Sequence, residues 1–401
     1  VTAARAARRA RDADSQGQLL RRAAQSRGKI VFPDEEISYA ELHQRADAFA
    51  AMLRARGLGR GDHVGLFLSP SSEYLVSLYG AQRLGCCVVP ISDRFRASEL
   101  RYIIGHGNVA ALITTAAGGW HDFVADVVAA LPALAEQQRG AIALESAPRL
   151  RHVLVWSGED VGEPFEPVDL DLPFDAAEIE RIEAGVDPAD LAYLMYTSGT
   201  SASPKGCMIS HEAVLVQAES LAHARYLLTE DDAFWCPLPL FHNGGLATLS
   251  SCLASGATYV HTGVFEPGVA LHMLADNRCT HAIPAFETIW LRVLDHPDYP
   301  RVDLSALRVV LNAGTIERLR QLQARTPDVV QVANYGCTEA TGHLSITLID
   351  DPLEVRLNTG GHPLPGMEVR IIHPESGTEL GPEQIGEIVF RGPSRFAGYY
   401  L

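Results

Sequence analysis

The sequence predicts an α/β fold: two βα-repeat subdomains with mainly parallel sheets covered by helices, followed by a small β-rich subdomain. Three observations carry that expectation. Short apolar runs alternate, in two long series, with segments whose apolar residues recur at helical spacing. An acidic, proline-broken stretch separates the two series. From about Leu344 onward the helical periodicity fades, and apolar segments stand between Gly and Pro turns.

The first series opens with a helix over residues 38–56, where Leu42, Ala46, Phe49, Ala50 and Leu53 share one face and Gly57 supplies a stop. The apolar run 63–68 is too short for an ordinary helix and reads as a buried strand. A helix at 73–84, a strand at 86–91, a helix at 97–105 and a strand at 109–114 follow. Between Gly158 and Leu191 twelve acidic residues face one arginine, with prolines at 164, 167, 173 and 188; this composition predicts a solvated connector. The second series places strands at 191–196, 233–238, 258–261, 280–283, 308–311 and 329–333, with helices in the gaps. Antiparallel strands are expected at 369–372 and 387–390. The expected units are 1–190, 191–345 and 346–401.

With 401 residues, 47% of them hydrophobic and 20% charged, the chain has the composition of a globular protein with a large core. No apolar run reaches membrane-spanning length. A net charge of −16 is the wrong sign for tracking nucleic acid, so any anionic ligand must be held locally. Seven cysteines without a C-x-x-C pair read as buried thiols in a reducing compartment, and a cytoplasmic protein is expected. The Arg-rich start, residues 1–11, lacks the apolar core of a secretory signal. Of the 33 basic residues only Lys29 and Lys205 are lysine.

One of those two lysines closes the most informative stretch, Tyr196-Thr197-Ser198-Gly199-Thr200-Ser201-Ala202-Ser203-Pro204-Lys205-Gly206, which follows a predicted strand and precedes a helical segment. Hydroxyls and backbone N–H groups of such a loop can wrap a polyphosphate, and the lysine adds a point charge. It is not a Walker A loop, since Pro204 precedes the lysine and Gly206 follows it. The stretch resembles the phosphate-binding signature of the adenylate-forming superfamily, which comprises acyl-CoA synthetases, adenylation domains and firefly luciferase. Ser201 stands for the usual Thr and Ala202 for the usual Gly.

Further motifs resemble that superfamily in the same order. Asn334-Tyr335-Gly336-Cys337-Thr338-Glu339 is similar to its Tyr-Gly-x-Thr-Glu segment. The resemblance implies that Tyr335 stacks on adenine, Thr338 reaches the α-phosphate and Glu339 holds Mg²⁺. Pro239-Leu240-Phe241-His242-Asn243 resembles the Pro-Leu-Phe-His segment beside the acyl pocket and implies His242 near the substrate carboxylate. Amino-acid adenylation domains commonly carry Phe-Asp here, so an ordinary α-amino acid is disfavoured. Asn312-Ala313-Gly314-Thr315 stands for a Gly-Gly-Ala backbone segment at adenine, and Gly386-Glu387-Ile388 with Gly398-Tyr399-Tyr400 is similar to a segment late in the large domain.

By this resemblance the protein is an ATP-dependent acid–thiol ligase that forms an acyl-adenylate, releases pyrophosphate and makes a thioester with CoA. The implied catalytic residues are Lys205, Thr338, Glu339 and His242. ATP is expected at Thr197, Ser198, Gly199, Thr200, Ser201, Lys205, Gly314, Asn334, Tyr335, Gly336 and Thr338. The carboxylic acid substrate is expected at His242, Asn243, Ala313, Gly336, Ala340, Thr341 and Gly342. Two alternatives stay open: loading of an acyl or peptidyl carrier protein, and a non-catalytic nucleotide- or acyl-binding domain. Family members continue past the position of Leu401 into a hinge and a smaller mobile domain; the expectation is that this C-terminal domain is absent here. Neither a dinucleotide fingerprint, a G-x-S-x-G elbow nor an H-E-x-x-H helix is found.

Overall fold

Local capping and apolar spacing set the elements of the computed structural model, which describes residues 13–116, 121–157, 159–197 and 204–401. The first expected helix runs Tyr39–Ala55, and the Ser38 hydroxyl accepts the Glu41 N–H at its start. Ser71 and Ser210 cap Ser72–Arg83 and His211–Ser220 in the same manner.

Two large sheets carry the fold. The first has eight strands in the spatial order Gly398–Tyr400, Lys205–Ser210, Leu191–Thr197, Cys87–Pro90, His63–Phe67, Val109–Thr115, His152–Trp156, Glu166–Pro167. It is parallel except at the edge formed by its first three strands. The second has seven, in the order Val330–Val332, Val309–Ala313, His281–Phe286, Ala233–Trp235, Thr258–Val260, Lys29–Val31, Glu36–Ser38, and only the last pair is antiparallel. Adjacent side chains on one strand enter different cores, as period-two alternation requires: Leu66 and Phe67, Val88 and Val89, Phe234 and Trp235 are each divided between two clusters. The core that both sheets share holds the helices Gln16–Ala23, Tyr39–Ala55, Ser72–Arg83, His211–Ser220 and Asn243–Ser255. Sandwiched on both sides, Ser72–Arg83 is buried over nearly its whole length.

Sheet membership departs from sequence order. Leu191–Thr197, expected to open the second series, is hydrogen-bonded into the first sheet beside Cys87–Pro90. Lys29–Val31 lies before the first series yet pairs with Thr258–Val260 in the second sheet, Ile30 opposite Tyr259. Apolar spacing marks a strand as buried but does not name its neighbour. The acidic connector also differs from the solvated segment expected: it folds a helix, Ala176–Glu183, whose last carboxylate is fully buried beside Arg83. The expected antiparallel pair is present as Glu368–Ile372 with Glu387–Arg391.

Candidate active site

Thr197 and Lys205 face each other across an antiparallel pair, the last residue of one strand opposite the first of the next. Ser198, Gly199, Thr200 and Ser201 lie outside the described residues. Lys205 opens a strand, and the first helix after it starts only at His211. The strand–loop–helix order expected from the sequence is thus corrected: no helix N-terminus follows the loop directly, because Cys207 and Ile209 are fully buried and the segment pairs as a strand.

Lys205 is exposed, and its Nζ stands 5.3 Å from the ring centroid of Tyr399. The Tyr399 hydroxyl donates to Glu339 Oε1 at 2.6 Å. Burial pushes the Glu339 carboxyl up, but the hydrogen bonds from Tyr399, its own backbone N–H and Cys337, with the charge of Lys205, outweigh it and hold the pKa below the ordinary Glu value. The same bond pushes the Tyr399 phenol up to about 12. A lysine, a carboxylate and a phenol therefore meet on one side of the sheet edge, with the carboxylate ionised at neutral pH.

Glu339 belongs to the short turn Thr338–Ala340, and the segments around it are tied down. The Phe396 N–H donates to the Glu339 carbonyl at 2.9 Å, and the Thr341 hydroxyl to the Ser394 carbonyl at 2.7 Å. Gln217 Nε2 donates to the carbonyls of Ala340 and His343 at 2.9 and 3.1 Å. Asn243 Nδ2 reaches the Thr338 carbonyl at 3.4 Å. Gly336 is required where it stands, because a Cβ would collide with the carbonyl oxygen of Gly342. Asn334 bonds His343 Nδ1 at 3.0 Å, and burial lowers the His343 pKa to about 4. Tyr335 remains 43% exposed.

His242 caps the helix Asn243–Ser255, its Nδ1 accepting the Gly244 N–H at 3.4 Å. The residue is exposed yet close enough to protein atoms that desolvation lowers its pKa, and the ring is neutral at pH 7. Gly245 fits only as glycine, since a Cβ would stand 2.5 Å from the Pro239 carbonyl oxygen. Ala313 ends the strand Val309–Ala313 beside Val330–Val332, and Gly314 follows it against Glu287. Both strands are parallel, and ligands of open α/β sheets gather at their carboxyl ends.

The structure thus joins Lys205 to Glu339 through Tyr399, and Thr338 to Asn243. It turns Ala340 and Thr341 inward: both are buried, the first in the apolar core and the second on Ser394, so neither side chain is open to a substrate. Tyr399, Gln217 and His343, which the motifs did not single out, contact the residues of this candidate site. Among the described residues no group of three His, Cys, Asp or Glu side chains could hold a metal unaided. A magnesium ion carried on phosphates needs only one or two protein carboxylates, and ionised Glu339, with Oε2 free of the Tyr399 bond, fits that requirement.

A family model for AMP-binding enzymes matches residues 19–400. The chain is 29% identical over 398 residues to a putative acyl-CoA synthetase of Bacillus subtilis, covering 96% of this chain and 72% of that protein. It is 30% identical to a 3-[(3aS,4S,7aS)-7a-methyl-1,5-dioxo-octahydro-1H-inden-4-yl]propanoyl:CoA ligase of Rhodococcus jostii, covering 95% of this chain and 71% of that one. Among the first curated relatives the share of their length that the chain spans runs from 61% to 72%. The solved N-terminal domain of FACL13 from Mycobacterium tuberculosis has the same fold, with a TM-score of 0.76 at 24% identity, covering 96% of this chain and 91% of that domain. Among the described residues no helix is long and apolar enough to cross a membrane. Motif order, fold and a match along nearly the whole sequence agree: the chain belongs to the AMP-binding enzyme family and is most like its acyl- and aryl-CoA ligases.

Proposed function

We propose that the protein activates a carboxylic acid with ATP and passes the acyl group to CoA. A carboxylate oxygen bonds to the α-phosphorus as the bond to pyrophosphate breaks; the CoA sulfur then bonds to the acyl carbon, AMP leaves and the thiol proton is released. One observation carries this reading: Lys205 and an ionised Glu339, 134 positions apart in sequence, converge on the same phenol beside the end of the Ser/Thr/Gly loop. Phosphoryl-type transfer asks mainly for positioning and for charge placed where phosphate oxygens lie, and this pair supplies both signs.

In this reading Thr197 through Ser201 and Lys205 bind the polyphosphate, and Thr338 bonds the α-phosphate. Glu339 holds Mg²⁺, which when bound neutralises phosphate charge. Tyr335 offers its exposed face to adenine, flanked by backbone at Gly314, Asn334 and Gly336. Neutral His242, with Asn243 and the backbone at Ala313 and residues 340–342, orients the acid. Because His242 carries no charge at pH 7, it serves the carboxylate by an N–H hydrogen bond. That the matched relatives are named as CoA ligases supports CoA as acceptor over a carrier protein.

The test is acid-dependent ATP–pyrophosphate exchange by the full-length protein against a panel of aryl and alkyl acids, with CoA and carrier protein compared as acceptors. Glu339→Ala is expected to lower exchange by at least about 100-fold, the scale of a lost charge-stabilising group. Tight ATP binding with no exchange for any acid would favour a binding domain without turnover.

A further inference from the structure

Tyr399 and Tyr400 are neighbours on the edge strand Gly398–Tyr400, and alternation sends their side chains to opposite faces. Tyr400 is spent on the body of the protein: its hydroxyl accepts from Asn108 Nδ2 at 2.8 Å, and its ring lies 5.5 Å from that of His63 and 5.8 Å from that of His106. Tyr399 takes the other face and makes the two contacts already described, to Glu339 Oε1 and to Lys205 Nζ. Two groups of opposite charge, drawn from distant motifs, lean on a single side chain.

We propose that Tyr399 is a positioning residue for acid activation, its hydroxyl fixing the Glu339 carboxylate and its ring face seating the Lys205 ammonium. The inference rests on the function proposed above. A hydrogen bond to Oε1 restricts the rotation of the carboxylate, so the side chain need not be ordered when a hard cation arrives. Lysine is a mobile ammonium on a four-carbon stem, and an aromatic face restricts where that charge resides.

The placement of Tyr399 is itself stiff. It sits opposite Cys207 in the antiparallel register, the Ala397 N–H donates to the Met208 carbonyl at 2.8 Å, and the Phe396 N–H donates to the Glu339 carbonyl at 2.9 Å. The Phe396 ring packs edge-on against Tyr399 with centroids 5.0 Å apart. Segment 394–400 is therefore laced to both the lysine strand and the Glu339 turn, and the phenol stands at the crossing.

Calorimetric titration of ATP, without metal and with increasing Mg²⁺, tests this in the full-length protein and in Tyr399→Phe, Tyr399→Leu and Tyr400→Phe. Tyr399→Phe keeps the ring and loses the hydrogen bond; metal-free ATP affinity is expected within about twofold of the unaltered protein, while the Mg²⁺ concentration for half-saturation rises about tenfold. Tyr399→Leu loses both contacts, so metal-free ATP affinity falls as well, about threefold. Tyr400→Phe alters only the anchoring face and leaves both constants unchanged while lowering the Tm. A Tyr399→Phe protein that binds Mg²⁺ as tightly as the unaltered one overturns the proposal, as does a Tyr400→Phe protein with the same loss. No Mg²⁺-dependent ATP binding in the unaltered protein would instead overturn the proposed function, and this inference with it.

Discussion

Gly336 shows how much of the site is decided by single atoms. The missing Cβ lets the Tyr335-Gly336 backbone lie on the carbonyl of Gly342, and Gly342 holds φ +120°, a conformation that side chains rarely adopt. Neither partner can retreat cheaply, so Gly336→Ala must displace the Tyr335 and Glu339 segment itself. Overpacking of this kind costs about 1–3 kcal/mol, and the expected result is a folded protein whose ATP affinity falls about 5- to 150-fold. Equilibrium ATP binding together with a melting curve checks it; unchanged affinity would show that the motif bends freely. Lys205, Glu339 and Gly336 were legible as letters because each sits inside a short ordered motif. Tyr399 was legible only as part of a Gly-Tyr-Tyr string: its bond to Glu339 spans 60 positions, and no local pattern records a contact of that separation.

At the scale of elements, the sequence showed which segments are strands and helices far better than it showed who pairs with whom. Spacing and caps placed Tyr39–Ala55 and Ser72–Arg83 within a residue or two, since both signals are local. The exchange of Lys29–Val31 and Leu191–Thr197 between sheets comes from long crossovers, which spacing does not encode. The connector misled for a related reason: its acidity describes most of its surface but not Glu183, which is fully buried with Arg83 and also approached by Arg21. Arg83 holds Asp47 at 2.8 Å and Glu183 at 3.4 Å, binding three helices around the backbone of Gly17, where a Cβ would stand 2.5 Å from Glu183 Oε1. Burial raises the pKa of both acids, which is to say that they are ionised only at a cost that the arginine offsets in part. Arg83→Met leaves them stranded and is expected to cost about 3–5 kcal/mol, whereas adding Glu183→Gln recovers part of the loss. Urea unfolding of the two variants decides it; a single-variant cost below about 1 kcal/mol would mean the helices are held by apolar packing alone.

For the whole molecule, net charge is a poor guide and buried histidine a better one. The −16 total repels phosphate at long range, yet under the proposed function ATP requires only the local field of one loop and Lys205, so the two do not conflict. Acid has a more direct hold on the fold. His211, His261, His281 and His343 are buried, and desolvation lowers each pKa to about 4 from an ordinary 6.5. The network confirms neutrality at His261: Nδ1 accepts the Gly263 N–H at 2.9 Å, which a protonated ring cannot do, and Nε2 donates to the Leu238 carbonyl at 3.0 Å. Between pH 6.5 and 4 the unfolded chain therefore binds protons that the folded chain refuses, and unfolding becomes easier as pH falls through that window. Above 6.5 both states are neutral and these four groups exert no pH dependence; each one contributes up to about 1.4 kcal/mol per pH unit below it. Asp47, Asp93 and Glu183, whose pKa values are raised, act in the opposite sense, while His43, also lowered to about 4, acts in the same one, so the total slope is not that of these four groups alone. A difference measurement removes that complication. Near pH 5.3, midway through the window, His261→Gln should take up about one proton fewer on unfolding than the unaltered protein, read by calorimetry in buffers of different ionisation enthalpy. Equal uptake by the two proteins would mean that His261 is already protonated in the folded state, against the hydrogen bonds that surround it.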